Sequence, residues 1–286
     1  MSNILLCGAR SFVGSGLADL LNANSYNVDC FSRGAESRKG NIVFGDYLKI
    51  HQNKELADFY DVVVNLAVIK DGTRESNIEY IKNLVVLCKE KKVKKLIHFS
   101  TIMNYAYSQP TVTEDTPIEI LQETVKRGYA EYKIAVDQYL LSVKDSLPFE
   151  VIFVRPGYVL AEGVACPFIK RLPFGLTFIK GNKSSRQPVV KREDIHKAVL
   201  AIMKIEKNNS VYHFFPNNGM TKYRYAKETV GGIVICMPKW LFRGVPALLC
   251  KLHIISPSLF SRFDGMYIES DFISAVTEMK LNMKFQ

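Results

Sequence analysis

The stretch that most limits what this chain can fold into runs from Ile4 to Gly14. Ile4, Leu5 and Leu6 form a short apolar run without helical period, and Gly8 follows where the chain must turn and a side chain would collide. Ser11 is placed to cap a helix, and Phe12, Val13, Leu17, Leu20 and Leu21 recur at helical spacing. A strand, a tight turn and a helix start therefore follow one another. Backbone N–H groups at a helix start point outward, and with the positive end of the helix dipole they suit a pyrophosphate. Of the three glycines usual in such a turn, Gly8 and Gly14 hold the outer places and Ser11 stands in the middle one. An ordinary strand-to-helix turn is the alternative reading of this stretch taken alone.

Downstream residues favour the dinucleotide reading. Asn27 to Phe31 reads as a second strand ending in Ser32, Arg33 and Gly34, at the position where such a fold meets the adenosine ribose. A carboxylate there would accept from a 2′-hydroxyl, whereas Ser32 and Arg33, with Arg10 in the turn and Arg38 nearby, favour the 2′-phosphate of NADP; NAD stays possible. Asn41 to Phe44 is a short strand delivering Gly45 and Asp46, and Asp61 to Leu66 is a nearly continuous apolar strand, as expected when both sheet faces are covered. Glu75 to Lys92 reads as a helix, and Lys95 to Phe99 as a strand ending in Ser100 and Thr101. Alternating strands and helices with short links imply an α/β fold with a doubly wound, mostly parallel sheet. Ligands bind such sheets at the strands' carboxyl ends, where Asp46, Asn65 to Ala67, Ser100 and Thr101 fall.

After a polar loop from Asn104 to Thr124, a helix is expected from Gly128 to about Lys144. It carries Tyr129 and Lys133 four residues apart and so on one face. An ammonium one turn away would lower a phenol's pKa from its usual value of about 10. Phe149 to Arg155 is a further strand, closed by Pro156 and Gly157. Beyond it the alternation breaks down, with Pro167, Pro173 and Pro188 separating short pieces before a helix from Glu193 to Ile205. The expected division is a nucleotide-binding domain over 1–160 and a smaller substrate-binding region over 161–286, whose 192–205 helix packs back on the first.

Composition narrows the field. The 48% hydrophobic and 23% charged content is that of a globular protein. The net charge of +10 permits anionic partners, but Lys89, Lys91, Lys92, Lys94 and Lys95 sit near a helix end without interleaved aromatics, so no nucleic-acid partner is expected. The six cysteines are scattered and the five histidines show no partner spacing, so no metal site and a reducing, cytoplasmic setting are expected. The apolar stretch from Gly231 to Ile255 is broken by Pro238, Lys239, Arg243, Pro246 and Lys251 and never reaches the length of a membrane span. It reads as one or two core-facing helices, with an interfacial anchor as the alternative.

Taken in order, these residues resemble the extended short-chain dehydrogenase/reductases, in particular nucleotide-sugar epimerases, dehydratases and 4-ketoreductases. Cys7 to Gly14 resembles the family's T-G-x-x-G-F-x-G, Gly45-Asp46 its adenine-contacting G-D, and Asn65-Leu66-Ala67 its N/H-L-A beside the cofactor. Asn77 fits the asparagine of the next helix, Ser100-Thr101 with Tyr105 fits S-S/T-x-x-V-Y-G, and Tyr129 with Lys133 fits Y-x-x-x-K. Arg155-Pro156-Gly157 fits R-P-G, Val189 to Asp194 resembles V-x-D-x-A, and Arg262 to Gly265 with Asp271 to Phe285 looks like the nucleotide-diphosphate segment. The resemblance implies that Tyr129 is the acid/base, that Lys133 lowers its pKa and holds the nicotinamide ribose, and that Thr101 hydrogen-bonds the reacting oxygen. It implies a cofactor bound by Gly8, Arg10, Ser11, Phe12, Val13, Gly14, Ser32, Arg33, Asp46, Leu66, Ala67, Asn77 and Pro156. Arg186 and Arg262 are the expected substrate-binding arginines, and a homodimer through two helices is the expected assembly.

Two departures refine the expectation. Family 4,6-dehydratases carry an Asp-Glu pair directly after the Ser/Thr, and Ile102-Met103 stand there instead, which argues against dehydration. Arg33 favours exchangeable NADPH and so tilts the reading from epimerase toward reductase. A superfamily reductase acting on a non-nucleotide carbonyl and an NADP-binding regulatory protein without turnover remain competing readings.

Overall fold

The structure is a computed structural model and describes residues 2–105, 109–119, 129–164, 166–206, 210–255 and 265–286. In chain order it runs β1 (Asn3–Cys7), α1 (Leu17–Ala23), β2 (Asn27–Arg33), β3 (Ser37–Lys39), β4 (Ile42–Gly45), β5 (Val62–Asn65), α2 (Arg74–Glu90), β6 (Lys95–Phe99), β7 (Thr111–Val112) and α3 (Tyr129–Val143). There follow β8 (Glu150–Pro156), β9 (Tyr158–Leu160), β10 (Ile169–Arg171), β11 (Leu176–Ile179), β12 (Val189–Lys191), α4 (Arg192–Lys204) and β13 (Val211–Phe214). The chain closes with α5 (Lys222–Thr229), β14 (Ile233–Cys236), α6 (Val245–Lys251), β15 (Asp271–Phe272) and α7 (Ala275–Leu281).

Eight strands form one sheet in the order β13-β8-β6-β5-β1-β2-β4-β3. The pairs from β8 to β4 are parallel, and β3 runs antiparallel against β4. The order turns back on itself between β1 and β5, which opens a crevice at their carboxyl ends. The expected doubly wound α/β fold is the one observed. The β3 hairpin was not foreseen: Ser37, Arg38 and Lys39 are polar and resemble a loop until Arg38 is seen to grip Asp29 with two hydrogen bonds of 2.8 Å.

The chain divides into two compact units that interleave in sequence. The first comprises 1–104, 128–156 and 193–212; the second comprises 105–127, 157–192 and 213–286. In the first unit α2 packs Tyr80, Ile81, Leu84, Val85, Leu87 and Cys88 into the core with Leu5, Val63 and Leu96 of the strands. Its start is fixed by a capping box, in which Thr73 and Ser76 exchange side-chain and backbone bonds. In the second unit β10, β11 and β14 form a small sheet, β12 pairs β9, and β15 pairs β7 in parallel. The last pairing explains the interleaving, because Asp271 needs a partner from residues 110–112.

The 231–255 stretch is not the core-facing helix pair expected. Its strand, β14, forms the edge of the small sheet, and its helical part, a π-type turn over Trp240–Gly244 continuing into α6, leaves large apolar side chains in solvent. Among the described residues no helix is long and apolar enough to cross a membrane.

Candidate active site

The first unit's crevice begins at the end of β1. Gly8 has φ +88°, and a Cβ there would lie 2.9 Å from the Ala67 nitrogen. The backbone after β1 thus rests directly on Leu66 and Ala67, which follow β5. Gly14 is required for a similar reason, since its Cβ would stand 2.4 Å from the Gly8 oxygen. Between them the Ser11 Oγ accepts from the Gly14 nitrogen at 3.0 Å, and the Ser11 nitrogen donates to the Gly8 oxygen at 2.9 Å. A serine fits the middle place because its short side chain folds back into the turn. The regular helix starts later than expected: Gly16, at φ +85°, interrupts the first turn and α1 begins at Leu17. His196 on α4 bonds the Val13 oxygen at 2.7 Å and steadies the same turn, a role no histidine spacing signalled. Phe12 is 44% exposed at the turn's outer side.

The ends of β2 and β4 carry the next group. Ser32 is buried, and the Arg33 guanidinium reaches the Asp71 carboxylate at 2.8 and 2.9 Å. Both partners are largely exposed, so this pair is weak. Arg10 lies 6.0 Å over the Phe44 ring. Arg38 differs, since its bonds to Asp29 and the Glu55 carbonyl make it part of the framework. Asp46 caps the turn after β4 by accepting from the Leu48 nitrogen at 2.9 Å. Asn77 is buried and closes the loop from Ile69 to Thr73 with bonds of 2.8 to 3.0 Å to those two residues. Pro156 ends β8, also buried.

Tyr129 opens α3, and Lys133 lies one turn further on. The Lys133 Nζ stands 6.0 Å from the Tyr129 ring centroid and donates to the Phe99 oxygen at the end of β6. Lys133 is almost wholly buried, and burial pushes its ammonium down to about 8, against a smaller upward pull from Asp137. The expected lowering of the Tyr129 phenol is not what its surroundings produce. Desolvation raises it, although 46% of the residue remains exposed, and the Lys133 ammonium donates to the Phe99 oxygen. Thr101 directly follows the Ser100 that continues β6, and its Oγ1 accepts from the Met103 nitrogen at 3.2 Å. A small cavity beside α3 is lined by Asn65, Ala67, Asn77, Tyr132 and Lys133 among others.

Beneath these residues lies a buried polar network that the sequence reading missed. Asp137, wholly buried one turn after Lys133, accepts from Ser100 Oγ at 2.6 Å, Asn104 Nδ2 at 2.7 Å and an Arg155 nitrogen at 3.2 Å. Burial works to raise its carboxyl, but His98, Arg155 and Ser100 outweigh that and hold it below the ordinary carboxylate range. On the far side, Asn65 Oδ1 accepts from the Ala67 nitrogen at 3.1 Å and the Tyr80 hydroxyl at 2.8 Å. The amide nitrogen of Asn65 must then face His98 Nδ1, 3.1 Å away, which makes Nδ1 the acceptor and puts the proton on Nε2. That nitrogen lies 3.4 Å from Asp137, and burial keeps the ring neutral by lowering its pKa. A signal existed in the sequence, since Lys133 and Asp137 share a helix face at (i, i+4).

The remaining expected residues lie elsewhere. Arg186, in the second unit, bonds Asp271 at 2.6 Å and the Gly219 oxygen at 2.8 Å, which ties β15 to a neighbouring loop. Arg262 falls outside the described residues. Among the described residues no group of three or more His, Cys, Asp or Glu is placed to hold a metal.

Comparison with known proteins adds to this geometry. Residues 4–213 match the family described as NAD dependent epimerase/dehydratase family. No significant match is found among curated protein sequences. Among solved structures, human epimerase family protein SDR39U1 (isoform 2) with NADPH superposes with a TM-score of 0.67 at 16% identity, covering 99% of this chain and 95% of that one. The UDP-glucose 4-epimerase of Thermotoga maritima, solved with UDP-glucose, gives 0.66 at 18%, covering 99% and 94%. TunA, an NAD dependent NDP-hexosamine 5,6-dehydratase involved in tunicamycin biosynthesis, gives 0.66 at 16%, covering 99% and 92%. At these identities the structural likeness speaks for the fold.

Proposed function

This chain belongs to the NAD dependent epimerase/dehydratase family, and from that premise we propose that it is an NADP-linked ketoreductase or 4-epimerase of a nucleotide-activated sugar, the reductase being the favoured reaction. The observation that carries the proposal is the buried Lys133, its ammonium depressed to about 8 and lying under the ring of Tyr129. A fold gains nothing in stability from such a lysine, so its presence at the strand ends points to a task in binding or chemistry.

The residues present fit a nicotinamide dinucleotide. At Gly8 and Gly14 the backbone packs too closely for a Cβ, and the Ser11 side chain folds back on the Gly14 nitrogen, so a pyrophosphate would lie against the backbone of this turn. Lys133 has three N–H donors and spends one on Phe99 among the described residues, so it can give others to ribose hydroxyls. Arg33, in its weak exposed pair with Asp71, would take a 2′-phosphate. When bound, the cofactor supplies or accepts the hydride. Tyr129 holds the proton at its hydroxyl, and with its pKa raised the phenol is the protonated form at neutral pH, ready to donate to a carbonyl oxygen as it is reduced. Thr101 would orient that oxygen through Oγ1.

Water elimination is disfavoured because Ile102 and Met103, in the turn after Thr101, offer no acid or base. The nucleotide-sugar substrate rests on the family and on neighbours such as the epimerase solved with UDP-glucose. Incubating the protein with UDP-N-acetylhexosamines and their 4-keto derivatives, with and without NADPH, tests the proposal. NADPH consumption on a keto sugar selects the reductase, and interconversion without net oxidation selects the epimerase. Failure to bind either dinucleotide overturns both.

A further inference from the structure

Soluble helices turn their apolar stripe inward, and the helical segment from Trp240 to Lys251 does the reverse. Leu241, Val245, Leu248 and Leu252 follow one another at helical spacing and are 39%, 42%, 56% and 57% exposed. Trp240 flanks the stripe at 72% exposure. The segment is held from its other side: Met237 and Pro246 are buried, and the Tyr267 hydroxyl donates to the Met237 and Pro238 oxygens at 3.3 and 3.4 Å. The stripe therefore faces away from the core of its own unit. In the same unit, the hairpin between β10 and β11 carries Phe174 at its tip, 97% exposed and held at φ +61°. Ile233, whose nitrogen bonds the Gly175 oxygen next to that tip, is 67% exposed.

The charge pattern selects the occupant. In the sequence no acidic residue occurs between Glu228 and Asp264, while Lys239 and Lys251 flank the helical segment. Glu269 pairs with Lys239 at 3.2 Å, whereas Lys251 is exposed beside the stripe. A second copy of this chain would bring like charges together across a twofold contact. An anionic bilayer offers both what the leucines and what the lysines require, with the indole at the headgroup level. We propose that this face docks on an anionic membrane surface, the helix from Trp240 to Leu252 lying in the interface with its leucine stripe toward the acyl chains. The inference is independent of the reaction proposed above.

Trp240 is the only tryptophan, so its emission reports the contact directly. With the full-length protein, vesicles of phosphatidylcholine and phosphatidylglycerol should shift the emission to the blue, sediment the protein and lose it at high salt, while pure phosphatidylcholine vesicles should bind far less. The double variant Leu248→Glu, Leu252→Glu should keep its melting temperature, because both positions are exposed, and lose binding about tenfold or more. Brominated acyl chains should quench the wild-type emission. No blue shift and no sedimentation on anionic vesicles would overturn the proposal, as would undiminished binding by the double variant. A blue shift that grows with protein concentration alone, together with a dimer on size exclusion, would assign the face to a second copy.

Discussion

Replacing Lys133 with methionine should make the protein more stable at neutral pH while abolishing turnover. The ammonium, ordinarily near 10.5, is pushed down to about 8 in the fold, chiefly by burial. At about 1.4 kcal/mol for each pH unit, the charged lysine costs the folded state about 3 kcal/mol whenever the pH is below 8. Between pH 8 and 10.5 the unfolded chain holds this proton more often than the folded one, so wild-type stability rises across that window. Methionine has neither state. It also gives up the bond to Phe99, a loss of about 1 kcal/mol, so its net gain at pH 7 is about 2 kcal/mol. Near pH 10 the gain should shrink toward zero or reverse. Urea unfolding followed by far-ultraviolet circular dichroism at pH 7, 8.5 and 10 measures the difference, other alkaline titrations being common to both proteins. A variant less stable than wild type at pH 7, or a difference independent of pH, would refute the account of this lysine.

Other substitutions probe the neighbouring groups. Tyr129→Phe should alter stability by less than about 0.5 kcal/mol, the residue being half exposed, yet lower turnover of the proposed keto-sugar substrate about a hundredfold or more, read from NADPH oxidation. Asp137→Ala should destabilise by about 3 to 5 kcal/mol, measured by urea unfolding, because it leaves Arg155 buried without its carboxylate. Since the fold holds the Asp137 carboxyl below its ordinary range, its contribution is present at neutral pH and fades as acid protonates it in the folded state, so acid titration should flatten in Asp137→Asn. Arg33→Ser should leave thermal stability within about 1 kcal/mol and shift the ratio of NADPH to NADH affinity about tenfold or more toward NADH, measured by fluorescence titration.

Much of the first unit was legible because its signals are local. The apolar runs at β1, β5 and β6 have both faces covered and so stand out, and the glycine turn and the Tyr129/Lys133 spacing need only neighbours in sequence. What stayed hidden depends on partners far along the chain. Asp137 looks like a polar helix position until His98 and Ser100 from the end of β6 and Arg155 from β8 converge on it. His196 acts on a turn 183 residues away, and Arg38 turns a polar loop into a strand by meeting Asp29. The pairing of Thr111 with Asp271 involves strands too short to carry any period, which is why the second unit's borders were invisible.

The interleaving of the two units has a consequence for how such a chain is made and how it can change. The backbone passes from one unit to the other at residues 104, 127, 156, 192 and 212, so no single cut in the gene releases either as an independent piece. On the ribosome, the first unit stays incomplete until Tyr212 has emerged, by which time the early segments of the second are already outside and waiting for partners not yet synthesised. Shuffling of whole modules is therefore closed to this architecture, and new specificities must arise by exchanging loops and single residues in place.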